Sequence, residues 1–377
     1  MGHDTLRIGF LSSKNYFDRL TFSGILYSMY QAINRHAQVV PLGRPYRPSR
    51  IRDSLRRLEM RRLQRKSRNA NTNLILPGFR KRVEKQLRAR DVDLVLAPAA
   101  SAELSVLDLD VPVVYASDVT FRLIYETYRP NLLPARVAER EVEEQTAIKK
   151  ATGITYSSAW AAESAVREYG ASREMIRIIP YGANLDDVPD ECALYKKCER
   201  RPWQIAFIGF YWHRKGGDIA LKAFESLCKS GVDAELTIIG TEPPERQDMP
   251  GLRVIPFLDK RKARDQRTLR EILLSTHFML FPSRADCTPI ALCEAAAYGV
   301  PVVSSDVGGI RSIVTERTGR LLPSSSGPDD YASAIRELIG DPTLYRAMVR
   351  SSRERFEEVL NWDQWAKSLL EFCELLV

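Results

Sequence analysis

The sequence predicts an α/β protein built from two doubly wound domains. Short apolar runs rich in β-branched residues alternate with helical stretches along the 377 residues, as is typical of βαβ units. Several runs are apolar at consecutive positions, which parallel strands covered by helices on both faces require. A short internal similarity, VPVVYASD at 111–118 and VPVVSSD at 300–306, indicates that the two halves are alike.

The predicted strands fall into two groups, separated by a polar stretch at 186–204 that lacks apolar periodicity until Trp203. The strands of the first group are 6–12, 38–42, 93–98, 111–117, 153–158 and 176–182. Those of the second group are 203–210, 234–240, 252–257, 277–283 and 300–305. We place the hinge in the polar stretch and expect domains at 1–190 and 200–360. A C-terminal helix at 361–377 is expected to pack back toward the N-terminal domain.

Composition argues against several classes of protein. The hydrophobic content of 44% and the charged content of 28% are those of a globular chain, and no apolar run is long enough to cross a membrane. The first residues, MGHDTLRIGF, lack the basic region and apolar stretch of a secretory signal. Six cysteines without a C-x-x-C pair and four scattered histidines argue against a structural zinc site. We expect a cytoplasmic enzyme with reduced thiols.

The net charge of +8 is concentrated in one segment. Residues 44–90 hold 17 Lys or Arg and three acids, so this segment carries +14 and the remainder of the chain −6. Three interpretations are open: a solvated helical insertion, a patch for an anionic membrane or acceptor, and a nucleic-acid surface. Aromatic residues stand only near the ends of the segment, at Tyr46 and Phe79, so the stacking array of a nucleic-acid surface is missing.

The stretch FPSRADCTPIALCEAAAYGVP, 281–301, places two carboxylates, Asp286 and Glu294, around the start of a predicted helix. Thr288 is the expected N-cap and Gly299 the expected C-terminal stop. Ligands of open α/β sheets bind beyond the carboxyl ends of strands, and a helix N-terminus favours phosphate there. A diphosphate at this point would have a carboxylate at either end, and carboxylates accept hydrogen bonds from sugar hydroxyls. The stretch therefore predicts a nucleotide-sugar site.

A second stretch, IGFYWHRKGGDIALKAF at 208–224, predicts the binding site of the diphosphate. A strand ends at Gly209, and the loop that follows carries Arg214 and Lys215 before two glycines and an apolar-periodic helix. Two cations in such a loop would neutralise the charge that develops on a diphosphate leaving group.

The first half of the chain contributes three further candidates. Ser23 and Gly24 follow the first strand, where the missing side chain of glycine lets the backbone approach a ligand. Asp118, at the end of the strand YAS, is interpreted as an active-site acid or as a helix N-cap or turn residue. The D-x-D at 91–93 resembles a metal-binding motif, but it precedes an apolar strand, so we interpret it as a strand start and predict no metal site.

On the basis of these motifs, the sequence resembles the retaining glycosyltransferases of family 4, which have the GT-B fold. That family carries an acid-x7-acid motif followed by a small residue and Gly-x-Pro-Val, as in Asp286, Glu294 and AAAYGVPVV. It also carries a basic loop, here HRKGG, and a Gly-Gly-hydrophobic segment, here VGGIRSIV at 307–314. The resemblance covers most of the chain except 44–90. It implies two Rossmann-like domains facing across a cleft, and metal-independent transfer of a sugar to a hydroxyl acceptor with retention.

The resemblance also implies roles for single residues. Glu294 would bind the ribose hydroxyls, Asp286 the hydroxyls of the transferred sugar, and Arg214 and Lys215 the diphosphate. Asp118 stands where the family often has a histidine. The other expected donor contacts are at Ser23, Gly24, Gly209, Cys287, Thr288, Ile290 and Ala291, with the base near Phe257 and Leu258.

The donor expected from the resemblance is a UDP- or GDP-sugar, and no cofactor is expected. The acceptor is expected to be a hydroxyl compound in glycan or glycoconjugate biosynthesis. An anionic or lipid-linked acceptor, with peripheral membrane contact through 44–90, is one form that this expectation takes. The alternatives are another GT-B enzyme that uses a nucleotide sugar, such as an epimerase or a sugar-phosphate synthase, and a nucleic-acid-binding protein built around 44–90.

Overall fold

The computed structural model describes residues 6–43, 78–245 and 249–377. They belong to two compact units, the first within residues 1–155, 164–177 and 370–377, the second comprising 156–163 and 178–369. The units are therefore not contiguous in the chain. Residues 156–163 and 178–190 group with the second unit, although the sequence assigns them to the N-terminal domain, and the last residues group with the first.

The first sheet contains, among the described residues, six strands in the order β2-β1-β3-β4-β5-β6. They are β1 (Arg7–Ser12), β2 (Gln38–Gly43), β3 (Leu94–Pro98), β4 (Val113–Ser117), β5 (Gly153–Tyr156) and β6 (Ile176–Ile178). The pairings of β1 with β2, of β1 with β3 and of β3 with β4 are parallel. The helices of this half are α1 (Ile25–Ile33), α2 (Phe79–Arg88), α3 (Ser101–Ser105), α4 (Phe121–Tyr128), α5 (Pro134–Lys150) and α6 (Ala159–Tyr169).

The second sheet also contains six described strands, and every neighbouring pair in it is parallel. The strands are β7 (Trp203–Ile208), β8 (Ala234–Ile239), β9 (Leu252–Ile255), β10 (Phe278–Phe281), β11 (Val302–Ser305) and β12 (Gly319–Leu322). Their order is β12-β11-β10-β7-β8-β9. The helices are α7 (Glu191–Tyr195), α8 (Trp212–Lys215), α9 (Gly217–Lys229), α10 (Ala263–Ser275), α11 (Ile290–Ala297), α12 (Pro328–Gly340), α13 (Pro342–Glu358) and α14 (Trp362–Glu374).

Both faces of the second sheet are covered by helices, which explains its uninterrupted apolar strands. Ile205 and Phe207 of β7 point into a core formed with α9 and α12, whereas Ala206 between them points into a second core formed with α10 and α11. Phe278 and Met279 of β10 divide between the two cores in the same way. The predicted doubly wound architecture is confirmed.

Every predicted strand is present, and most of the differences are of one to three residues at the ends. The structure adds β12, which the sequence analysis missed; this short edge strand has three half-buried residues after its first glycine and therefore no clear apolar pattern. The internal similarity also has a structural counterpart. The strands β4 and β11 carry the similar segments. In spatial order β4 lies two positions from β1, and β11 lies two positions from β7, which are the strands that come first along the chain in each sheet.

The D-x-D at 91–93 was interpreted as the start of a strand, and its position in the structure agrees with that. The D-x-D lies at the amino end of β3, where Asp93 accepts a 2.7 Å hydrogen bond from the backbone of Arg7 and Asp91 pairs with the Arg7 guanidinium at 3.4 Å. Within the described ranges, no group of three His, Cys, Asp or Glu side chains is arranged to hold a metal ion. Each helix in the described part of the chain is too short or too polar to cross a bilayer.

Candidate functional site

The candidate site lies where the strand order of the second sheet reverses. The chain passes from β7 outward to β9 on one side, then returns to β10 and continues outward to β12 on the other. The loops after β7 and β10 therefore leave the sheet in opposite directions, and the crevice between them is the usual ligand position in such sheets. These two loops are the basic loop and the acid-bearing stretch singled out in the sequence.

Hydrogen bonds join the two loops tightly. The backbone N–H of Arg284 donates to the carbonyl of Arg214 at 2.8 Å, and the Arg214 guanidinium donates to the carbonyl of Ala285 at 2.8 Å. The Arg284 guanidinium binds both carboxylate oxygens of Asp218, at 2.8 and 2.7 Å, and this contact holds the pKa of Asp218 below its usual value. Sequence reasoning missed Arg284 and Asp218. The loops are thus held in position by the fold itself.

Asp286 forms an ionic centre with the two predicted cations. Its buried carboxylate contacts the ammonium of Lys215 directly, and the Arg214 guanidinium lies 4.0 Å from the same oxygen. The Lys215 side chain is 11% exposed, and burial lowers the pKa of this lysine, while the charge of Asp286 acts in the opposite direction. A compact centre of two cations and one acid therefore lies beside the crevice.

Two glycines of the VGGIRSIV segment hold the backbone of the first acid. Gly308 has a φ of +57°, and a Cβ there would overlap the carbonyl oxygen of Asp286. A Cβ at Gly309 would overlap the carbonyl oxygen of Cys287, and the Gly309 N–H donates to the Asp286 carbonyl at 3.1 Å. The Gly-Gly pair is explained by this close backbone contact.

Gly308→Ala is expected to lower both thermal stability and activity. A left-handed backbone costs a residue with a side chain about 1–2 kcal/mol, and the overlap with Asp286 displaces the ionic centre as well. We expect a lower melting temperature and a kcat/KM reduced about ten-fold or more, as 1.4 kcal/mol of lost transition-state stabilisation would give. Gly340→Ala is the matched control, because a Cβ at Gly340 meets nothing within 4 Å. Equal behaviour of the two variants would contradict the assignment.

The helix after the acid, α11, differs from the prediction at its start and agrees at its end. It begins at Ile290 with Pro289 as the N-cap residue, so the expected capping role of Thr288 is wrong. The Thr288 hydroxyl lies 2.6 Å from that of Ser157 instead, which is where its hydrogen bond is made. Gly299 follows the helix with a φ of +55°, and its N–H donates to Ala296 at 2.9 Å, as a C-terminal stop requires.

Glu294 lies one turn inside α11 and is 1% exposed. Its carboxylate contacts the ammonium of Lys260, which comes from the loop after β9. The sequence analysis did not single out Lys260, since 34 residues separate it from its partner. Both acids of the acid-x7-acid motif are thus paired with a lysine from another loop.

Exposed aromatic side chains lie at the same edge of the sheet. Phe210, after β7, is 51% exposed, Phe257, after β9, is 47% exposed, and their ring centroids are 6.0 Å apart. Leu258 instead packs against the core. At Gly209 a Cβ would lie 3.1 Å from Cγ of Lys215, so the small residue leaves room for that lysine. Phe210 and Phe257 therefore form an exposed apolar surface near the ionic centre.

The remaining candidates belong to the first unit. Ser23 has a φ of +54°, Gly24 is the N-cap residue of α1, and Asp118 is buried directly after β4. Burial lowers the pKa of Lys14, while the charges of Glu103 and Asp118 act in the opposite direction. By contrast, the second unit carries Gly209, Arg214, Lys215, Phe257, Leu258, Asp286, Cys287, Thr288, Ile290, Ala291 and Glu294.

Two family models match this chain. "Glycosyl transferases group 1" matches residues 202–341, and "Glycosyltransferase Family 4" matches residues 34–187. D-inositol 3-phosphate glycosyltransferase of Xylanimonas cellulosilytica is 24% identical over 285 residues, which cover 70% of this chain and 66% of that protein. D-rhamnosyltransferase WbpZ of Pseudomonas aeruginosa is 27% identical over 260 residues, 66% of this chain and 62% of that protein. The chain thus matches less than two thirds of the length of these relatives.

Solved structures share the fold over nearly the whole chain. Sucrose-phosphate synthase from Thermosynechococcus elongatus has a TM-score of 0.67 at 16% identity and covers 98% of this chain and 99% of its own. WaaG, a glycosyltransferase involved in lipopolysaccharide biosynthesis, has a TM-score of 0.63 at 15% identity, with 99% and 100% covered. The architecture is therefore that of the GT-B class, with two Rossmann-like domains. Together with the two family models, each of which matches within one half of the chain, this makes the protein a GT-B glycosyltransferase.

Proposed function

We propose that the protein transfers a sugar from a nucleotide-diphosphate sugar to a hydroxyl acceptor, with retention at the anomeric carbon and without a metal ion. The observation that supports this most is the ionic centre of Arg214, Lys215 and Asp286 in the crevice, with Glu294 one turn inside the adjacent helix. A diphosphate at the start of α11 would meet the two cations, while the two carboxylates accept hydroxyls on either side of it.

In this mechanism the protein stabilises charge and positions the reacting groups. Arg214 and Lys215 neutralise the charge of the diphosphate as the bond to the sugar breaks. Because hydrogen bonds hold the two loops together, the cations do so without rearranging. Asp286 holds the sugar hydroxyls next to them. The leaving phosphate assists in removing the acceptor proton on the same face of the sugar. Asp118 of the first unit is proposed as a further acid of the reaction.

The nucleotide is proposed to be UDP or GDP. One relative, from Mycobacterium tuberculosis, is named a GDP-mannose-dependent phosphatidylinositol dimannoside mannosyltransferase, at 25% identity over 65% of this chain and 64% of that protein. HepE of Anabaena, with a TM-score of 0.60 at 14% identity and 98% and 100% of the two chains covered, was solved with UDP and glucose. The base is proposed to lie near Phe257.

The test of the proposed function is a thermal-shift screen over UDP-, GDP-, ADP- and dTDP-sugars, followed by product analysis with a hydroxyl acceptor. We expect one donor to raise the melting temperature and to yield a glycoside, with equal rates in Mg²⁺ and in EDTA. Release of an epimerised nucleotide sugar, or of a sugar joined to a sugar phosphate, would support the alternative GT-B enzymes instead. Strict dependence on a metal would contradict the mechanism.

An anionic partner is proposed for the basic segment 44–90. Its residues 44–77 lie outside the described residues, and the described remainder is mainly α2. This helix buries Phe79 and Val83 and exposes the cations Lys81 and Lys85. We infer a peripheral contact with an anionic membrane surface or a lipid-linked acceptor at the cytoplasmic side.

Co-sedimentation with anionic and neutral vesicles tests this contact. Wild type is expected to bind the anionic vesicles in a salt-sensitive manner. Lys81→Glu/Lys85→Glu is expected to bind at least about thirty-fold less, since each of the two lost basic residues contributes on the order of 1 kcal/mol and the new acids repel the surface. Lys222→Glu/Lys229→Glu on α9 makes the same change of charge on exposed residues of the second unit and is expected to bind normally. Failure of the wild type to bind either vesicle would remove the membrane interpretation, and suppression by added RNA or duplex DNA would favour the nucleic-acid alternative.

A further inference from the structure

The loop after β9, residues 256–262, is fixed by its own hydrogen bonds. Asp259 is buried at its centre, and its carboxylate accepts hydrogen bonds from the backbone, Nε and Nη2 of Arg261 at 3.0, 2.9 and 2.8 Å. These contacts hold the pKa of Asp259 well below its usual value. The Asp259 N–H donates in turn to Asp265 of α10 at 2.9 Å. The loop is therefore a rigid support rather than a loose connection.

Lys260 follows Asp259 in this rigid loop. Its carbonyl accepts a 2.8 Å hydrogen bond from Gln266, which fixes the backbone, and its ammonium contacts Oε1 of Glu294. The Lys260 side chain is 32% exposed, whereas that of Glu294 is 1% exposed. A rigid loop thus reaches from the solvent side to a carboxylate buried in a different helix.

A buried carboxylate is stable only with a partner, because removing the partner leaves an uncompensated charge in a medium of low dielectric constant. A carboxylate also has two oxygens and about four lone-pair positions. Lys260 contacts Oε1 of Glu294, and the second oxygen, Oε2, is the one we assign to the hydroxyl groups of a ligand. The pairing therefore supplies a counter-charge and at the same time fixes which oxygen faces a ligand.

We propose that Lys260 is a positioning residue of the donor site, which holds Glu294 in the orientation that receives the ribose hydroxyls. The inference rests on the proposed function, and it assigns to the loop after β9 a role in donor affinity rather than in chemistry. Since the ribose contacts are the same in the ground state and the transition state, loss of Lys260 raises the KM for the donor and leaves kcat nearly unchanged.

The experiment measures the affinity for UDP and GDP by calorimetry, and the steady-state constants for the matching donor. Lys260→Met is expected to weaken nucleotide binding about ten-fold or more, as loss of a charged hydrogen bond does, and Lys260→Arg to restore most of it. Lys262→Met is the control, because it removes an exposed cation from the same loop. Lys260→Met/Glu294→Gln is expected to bind no more weakly than Glu294→Gln alone, since one residue acts through the other.

Two outcomes overturn the inference. The first is wild-type affinity in Lys260→Met, and the second is a double variant whose loss is the product of the two single losses. Lys260→Gln, which keeps a hydrogen-bond donor without the charge, replaces Lys260→Met if the latter has a lowered melting temperature. If the wild type binds none of the nucleotides, the proposed function fails together with this inference; if the wild type binds and the variants bind equally, only the inference fails.

Discussion

Lys215→Ala is expected to reduce turnover about a hundred-fold or more, and Arg214→Ala to have an effect of the same order. Each substitution removes one preorganised cation from the place where the leaving group gains charge, and loss of one such stabiliser typically has this effect. Lys215 is nearly buried against Asp286, so water cannot replace its ammonium without rearrangement. Single-turnover measurements at saturating donor report this change directly.

Lys229→Ala is the matched control for Lys215→Ala, because it removes an exposed lysine from the neighbouring helix α9. Circular dichroism and melting temperature separate loss of catalysis from loss of fold. Turnover within about two-fold of wild type in a folded Lys215→Ala protein would exclude the lysine from leaving-group stabilisation, since two-fold corresponds to well under 1 kcal/mol.

Glu294→Gln is expected to weaken donor binding about ten- to a hundred-fold, as loss of charged hydrogen bonds does. The amide is nearly the same size as the carboxylate, so the packing of α11 is retained, but its single oxygen is a poorer acceptor for two ribose hydroxyls. The KM for the donor and the affinity for the bare nucleotide report the effect.

Glu337→Gln, on the exposed face of α12, makes the same chemical change away from the crevice and is expected to behave as wild type. Nucleotide affinity in folded Glu294→Gln that matches the control would remove Glu294 from the donor site.

Much of the fold was predictable because its determinants are local. The strands β7, β8, β10 and β11 of the second sheet are apolar on both faces, so a single stretch of sequence identifies each of them, whereas the half-buried edge strand β12 was missed. The carboxyl end of each strand is then predictable from the turn residues that follow. That the Lys215 loop and Asp286 lie at one site was predictable for a different reason, since parallel strands end at one edge of a sheet. Their direct ion pair was not predicted.

Other partners of the site residues were not predictable, because they are distant in the chain and no motif in the sequence marks them. Arg284 and Asp218 are 66 residues apart, Lys260 and Glu294 are 34 apart, and Ser157 and Thr288 are 131 apart. The last pair also explains the error at the start of α11: local propensity favours Thr288 as an N-cap, but a tertiary hydrogen bond takes its hydroxyl. The position of Asp118 follows from its strand, whereas its electrostatic effect on Lys14 depends on the fold.

Two parts of the site differ in how well they tolerate substitution. In the first part, Gly308 and Gly309 contact the backbone of Asp286 and Cys287. A side-chain atom added at Gly308 or Gly309 displaces main chain, so variants selected for a new donor should leave these two positions unaltered. Phe210 and Phe257 are about half exposed, and substitution there changes surface rather than packing. A library that randomises these two positions should therefore alter the preference for the base while most of its members still fold.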